Sequence, residues 1–330
     1  MKKVFAFALV LAMVFALAVP AYADGAIKIG GTGPLTGGAA IYGMAVKNAA
    51  EIAVEEINAK GGIQFELRFE DDTHDAEKAV NAYNTLKDWG MQISLGSVTS
   101  KPAEATSAEN FADAKVAVIY RNDDAYSQGI RDTFVKEAEA KGVSVVYEGT
   151  FTDATSTDFN VQLTAARDAG ADLLFLPIYY TPASVILQQA NQMGYKPTFF
   201  GVDGMDGILT VENFDTSLAE GVYLLTPFSA DAEDARTQAF VAEYQKRYGE
   251  IPNQFAADGY DAVYIIKAAL EAANCTPDMS PADICEAVIA VMPTLKVDGV
   301  TGEGMTWAAT GEVSKAPMAI VIKDGAYVTP

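Results

Sequence analysis

Apolar positions along this chain recur in two alternating rhythms. Residues 27–31 form a short apolar run that ends in a Gly/Thr/Pro turn, GGTGPLTGG. Across 42–59, Met44, Val46, Ala50, Ala53, Val54 and Ile57 return every three or four positions, the spacing of one helical face. Lys60-Gly61-Gly62 stops that pattern, since glycine is favoured just past a helix end. Residues 65–69 alternate as a strand does and end in the acidic turn EDDTHDAE. Helix follows to about Trp89, then a strand at 92–95, the turn GSVTSKPAEA, and helix to about Phe111. Strand and helix thus repeat three times, which predicts a parallel sheet covered by helices.

The same rhythm restarts at Val116. Strands are predicted at 116–120, 143–149, 172–180 with its loop, 198–202 and 221–225. Between them lie helices from the turn Asp123-Asp124-Ala125-Tyr126-Ser127 to Lys141, at 159–169, and at 183–193. Beyond Pro227 the pattern turns helical, at 235–248, 255–273 and 282–291, with short strand-like pieces at 304–307 and 317–322. The fold class is therefore α/β, two blocks of parallel sheet and helix followed by a helical block that must pack on one of them. No solenoid-type repeat and no low-complexity tether separates the blocks.

The first residues carry an export signal. Lys2 and Lys3 precede an uncharged apolar run at 4–19, then Pro20 and the small-x-small triplet Ala21-Tyr22-Ala23. The run is shorter than the roughly twenty residues a bilayer span needs. Cleavage before Asp24 is expected rather than a membrane anchor, and no Cys stands there to take a lipid. The mature chain is expected outside the cytoplasm.

Charge and cysteines narrow the classes further. The chain holds 44 acidic and 23 basic side chains, a formal charge of −21, and loss of Lys2 and Lys3 takes it to −23. Such a surface repels nucleic acid and anionic membranes, so neither is an expected partner. Half the residues are apolar, enough for buried cores, and the mature length suits two domains. Cys275 and Cys285 bracket NCTPDMSPADIC, which in an oxidising compartment reads as one disulfide closing a small loop. Two free buried thiols are the alternative, and no nearby His completes a zinc site.

Candidate chemistry gathers in the turns after strands, where parallel sheets place ligands. Thr99 and Ser100, in GSVTS, offer hydroxyls and free N–H groups to a carboxylate, or they merely cap the next helix. Asp203 follows a strand and could meet an ammonium group, or serve as an Asx-turn residue beside Gly204. Tyr126, Tyr179 and Tyr180 occupy equivalent turns and could wall a pocket or simply pack. His74, the sole histidine, reads as part of a polar turn and helix cap rather than a metal ligand. One histidine and no Gly-x-Ser-x-Gly argue against a hydrolase, so no enzymatic activity is expected. Gly30-Gly31-Thr32-Gly33-Pro34 lacks the Lys-Ser/Thr ending of a phosphate loop, and no cofactor is expected.

Taken in order, IKIGGTGPLTGGAAIYG, AVEEINAKGGI, LRFEDDTHDAEKAVNA, GSVTSKPA, KVAVIYRNDDAYSQG, DFNVQLTAARDAGADLLFLPIYY, ANQMGYKPTFFG and GYDAVYIIKAAL resemble the leucine/isoleucine/valine-binding protein family. These are periplasmic amino-acid receptors of branched-chain ABC importers, and the resemblance runs from Ile27 to about Leu270. It implies a type I periplasmic binding fold, two Rossmann-like lobes joined by three crossing segments with the solute between them. Residues 1–23 would be the signal peptide, 24–113 with 229–315 a shortened first lobe, and 114–228 with 316–330 the second.

The resemblance also implies a hydroxyl at Ser100, beside Thr99, holding the ligand carboxylate, an acid at Asp203 helping to hold the ammonium, and aromatic walls at Tyr42, Tyr126 and Tyr179. Many relatives carry Glu where Asp203 stands. An amino acid ligand, a membrane permease as partner, hinge closure and a monomeric state follow as expectations. In one respect the chain departs from the pattern. After the helix near Phe111 the family continues with another strand, a ligand loop and a further strand-helix unit, whereas Asn110 to Lys115 leads straight into VAVIY. About thirty to forty residues are missing from the first lobe, more than one strand-plus-helix unit occupies. Either the binding site is impaired, or another segment substitutes. A ligand-sensing module acting through a receptor partner is the other reading from a different class.

Overall fold

A computed structural model describes residues 25–96, 114–315 and 318–329. The signal segment, Thr99, Ser100 and the helix predicted up to Phe111 lie outside the described residues. In the first lobe β1 (Ile27–Gly33) is flanked by β2 (Phe65–Asp71) and β3 (Ile93–Gly96), all parallel, in the order β2-β1-β3. Their connections are α1 (Ala40–Lys60) and α2 (Ala76–Trp89). Asp75 caps α2 by accepting from Lys78 N, and Gly90 closes it in the left-handed conformation that glycine tolerates. The apolar face of α1 is buried through Val46, Ala50, Ala53, Val54 and Ile57 as expected, but Met44 points outward and is 38% exposed.

The second lobe holds seven strands in the order β10-β9-β8-β7-β6-β4-β5. Five are parallel: β4 (Lys115–Arg121), β5 (Ser144–Phe151), β6 (Leu173–Leu176), β7 (Thr198–Gly201) and β8 (Tyr223–Thr226). Helices α3 (Ala125–Lys141), α4 (Asn160–Asp168) and α5 (Tyr180–Gln192) connect them. Every residue of β6 is buried, as a strand covered on both faces must be. One face packs into a core with Ile186 and Leu187, and the other into a smaller cluster with Val118, Tyr126, Ile130 and Phe200.

After β8 the chain returns to the first lobe as α6 (Ala235–Tyr248), α7 (Gln254–Ala272) and α8 (Pro281–Val291). Asp234, Asn253 and Ser280 cap the three helices, each accepting a main-chain N–H. Helix α7 lies along α1. The final segment crosses back as β9 (Met318–Lys323), antiparallel to β8, followed by β10 (Ala326–Val328). The chain is thus α/β with two sheets flanked by helices.

The expected disulfide is not formed. Cys275 is a buried free thiol behind α7, and Cys285 is a free thiol on the exposed side of α8. Ile284 is the residue that α8 buries, and the next position turns roughly 100° away from it, which directs Cys285 to solvent.

Candidate functional site

Ligands of open parallel sheets sit beyond the strands' carboxyl ends, where the strand order reverses. In the second lobe that point lies between β4 and β6, since the chain runs outward from β4 to β5 and resumes at β6 on the other side. Ser127 ties the two strand ends together. Its hydroxyl accepts from Arg121 N at 2.8 Å and donates to the Pro177 carbonyl at 2.7 Å. Asp124 caps α3 by accepting from Ser127 N. Beyond β7 the chain tightens into a short 3-10 turn over Asp203–Met205.

Tyr126, Tyr179 and Asp203 leave three strand ends and meet. The rings of Tyr126 and Tyr179 stack 4.9 Å apart. The Tyr126 hydroxyl donates to Asp203 Oδ1 at 2.5 Å and accepts from Gly204 N at 2.9 Å. A Cβ on residue 204 would lie 2.6 Å from that hydroxyl and 3.0 Å from the Ile178 carbonyl, so glycine is what lets the backbone approach. From the first lobe the Tyr42 hydroxyl donates to the Gly204 carbonyl at 2.5 Å. In the opposite direction, the Tyr180 hydroxyl donates to the Gly38 carbonyl at 2.6 Å. The Tyr42 ring packs against Tyr179, Tyr180 and Phe255, with centroids 5.8, 5.2 and 4.5 Å away.

Burial sets the electrostatics. Removal from water pushes the Asp203 carboxyl above the ordinary carboxylate range, opposed by its hydrogen bonds from Tyr126 and Gly204 N and reinforced by Asp258. The phenols of Tyr126 and Tyr42 are raised far above their ordinary value, chiefly by burial. Both therefore stay protonated and act as fixed hydrogen-bond donors.

A cavity of about 280 Å³ opens between the lobes beside this cluster. The first lobe contributes Gly38, Ala39, Tyr42, Thr73 and His74. The second contributes Arg121, Asp124 and Asp153, with Phe151, Tyr179 and Tyr180 among its aromatic walls. Arg121 is held by Asp123 at 2.7 Å and Asp153 at 3.0 Å. Of the residues predicted to contact ligand, Tyr42 and Tyr179 line the cavity. Tyr126 and Asp203 stand behind its wall, joined to each other. Thr99 and Ser100 lie outside the described residues. His74, Arg121, Asp124 and Asp153 were missed, although applying the strand-end rule to β2, β4 and β5 points to all four.

The family model described as periplasmic binding protein matches in two overlapping stretches, 26–120 and 103–326. A Leu/Ile/Val-binding protein homolog of Brucella melitensis is 27% identical over 344 positions, covering 89% of this chain and 90% of its own. That alignment is longer than this chain, so it opens gaps in it. Two solved structures share the fold over almost the whole length. A branched-chain amino acid transporter substrate-binding protein from Streptococcus pneumoniae, in complex with isoleucine, has a TM-score of 0.75 at 24% identity, covering 93% of this chain and 100% of that one. A leucine-binding protein from Thermotoga maritima has a TM-score of 0.78 at 21% identity, covering 92% and 97%. Two α/β lobes, a cavity between them and a family match running from residue 26 to residue 326 lead to one assignment: this chain belongs to the periplasmic binding protein family.

Proposed function

We propose that this chain is an exported, periplasmic substrate-binding protein of an ABC importer, and that it holds an amino acid of branched-chain type between its lobes. The observation that carries this reading is the cavity itself, where tyrosines of both lobes and carboxylates of the second converge on a space of small-ligand size. Residues 24–113 with 229–315 form the first lobe and 114–228 with 316–330 the second, a division supported by α7 lying along α1 and β9 joining β8. Asp203, oriented by Tyr126, attracts the ammonium group, and Tyr42 and Tyr179 cover the apolar side chain. Thr99 and Ser100 receive the carboxylate. Ligand enters on one lobe and closure completes the contacts, so the closed form is the one presented to the permease. The relatives named above, one of them solved with isoleucine, support the ligand class.

A thermal-shift screen of the mature chain against the twenty amino acids and simple carboxylates tests this. Leucine, isoleucine or valine at a hundred times its dissociation constant should raise stability by about 2.7 kcal/mol and remain unconsumed. Silence towards all of them would overturn the assignment and favour a site disabled by the shortened first lobe. Asp203→Ala should weaken leucine far more than 4-methylpentanoate, which lacks the amine. Equal loss for both would remove Asp203 from the ammonium site.

A further inference from the structure

The cavity's two walls differ in charge. On the second-lobe side stand Arg121, Asp124 and Asp153, one cation against two carboxylates, with Asp203 behind them. On the first-lobe side, among the described residues, Gly38, Ala39, Tyr42 and Thr73 bring no formal charge, and His74 brings an imidazole whose ring N–H can donate to a carboxylate. Its placement is constrained. Thr73 and His74 both adopt left-handed backbone, at φ 48° and 59°, a region disfavoured for a β-branched residue such as Thr73. The buried Asp72 fixes this turn by accepting from His74 N at 2.9 Å. The imidazole thereby meets Tyr179 of the opposite lobe edge-on, 5.8 Å between centroids.

We propose that His74 is a first-lobe contact to the ligand's carboxylate, donating a ring N–H to it. This rests on the reading of the cavity as an amino acid site. A zwitterion whose ammonium turns towards the acidic second-lobe wall presents its carboxylate to the other side, where the imidazole stands. The acids in His74's own loop are otherwise engaged. Asp71 accepts from Leu35 N, Thr36 Oγ1 and Thr73 N; Asp72 accepts from His74 N; Asp75 caps α2. The Lys78 ammonium is bonded to the Thr73 hydroxyl at 3.0 Å, and Arg121 across the gap is paired with Asp123 and Asp153.

The chain has a single histidine, so in a protein without an affinity tag its imidazole gives one resolvable Cε1–H resonance. Adding leucine should move that resonance, and His74→Ala should bind leucine about tenfold more weakly, the scale of one contact to a charged group in a partly hydrated cleft, with an unchanged melting temperature without ligand. Leucine binding in the thermal-shift screen with a silent imidazole, or wild-type leucine affinity in His74→Ala, would overturn the role of His74 and leave the transport reading standing. Absence of binding by any amino acid would overturn both.

Discussion

At the scale of single residues, Asp206 is a buried carboxyl whose burial makes stability depend on pH. It is 5% exposed, and its Oδ2 accepts from Gln254 N at 2.9 Å, joining the turn after β7 to the start of α7. Its Oδ1 and the Oε1 of Gln254 have no hydrogen-bond partner in the structure. Desolvation lifts the Asp206 carboxyl to about 6, against the Gln254 N–H and the Tyr327 hydroxyl, which favour its charge. An unfolded Asp titrates near 3.9. The folded chain therefore holds this proton more tightly, and its stability falls as pH rises from about 4 to about 6. Above that window the charged form carries a penalty on the order of 2–3 kcal/mol. Asp206→Asn keeps an acceptor for Gln254 N and cannot ionise. Its urea midpoint should match wild type near pH 4 and exceed it at pH 7.5; a constant difference across that range would mean that Asp206 does not titrate there. The sequence announces Asp203 because that residue follows a strand, yet nothing local marks Asp206 or Gln254, whose burial arises only when the lobes meet. His74 was legible by the same strand-end rule as Asp203, and was obscured by the acidic turn around it.

At the scale of elements, the pairing of α1 with α7 shows how closely two helices approach when a glycine stands between them. A Cβ on Gly259 would lie 2.8 Å from the Val46 carbonyl oxygen and 3.0 Å from Val46 Cα, backbone atoms that cannot swing aside. Gly259→Ala gains helix propensity of up to about 1 kcal/mol but must push the helices apart, and overpacking costs about 1–3 kcal/mol. The clash should win, lowering the urea midpoint with an unchanged denaturant slope. An equal or higher midpoint would show that α7 can slide on α1. Helices with marked ends were the most legible elements. Capping by Asp234 and the left-handed Gly249 make α6 coincide with its predicted 235–248, and α8 begins one residue early because Pro281 fits the first helical turn after Ser280. Helix α5 starts three residues before its predicted 183, because Pro182 fits within a first helical turn and does not delay the start. The 3-10 turns over 203–219 and the strand β10 went unread, because their short segments show no repeating apolar spacing.

At the scale of the whole molecule, the question is what holds the lobes together before a ligand arrives. Two phenols bridge the gap in opposite directions, Tyr42 to the Gly204 carbonyl and Tyr180 to the Gly38 carbonyl. A single apolar cluster also runs through both lobes, from Ile29 and Tyr42 to Leu176 and Met205. A ligand moves the balance between open and closed forms only by binding one more tightly than the other. Whatever closes the empty protein therefore sets the starting point. Each neutral hydrogen bond contributes about 0.5–1.5 kcal/mol net, so the two phenols together shift the closed-to-open ratio by roughly 5- to 160-fold. Replacing both by phenylalanine keeps the rings and their packing while removing only the bonds. In ligand-free solution, small-angle X-ray scattering of Tyr42→Phe/Tyr180→Phe should then give a larger radius of gyration than wild type. If the two curves superimpose, the shared apolar cluster rather than the phenols holds the lobes. In that case ligand affinity would depend on cavity contacts alone, because opening would no longer compete with binding.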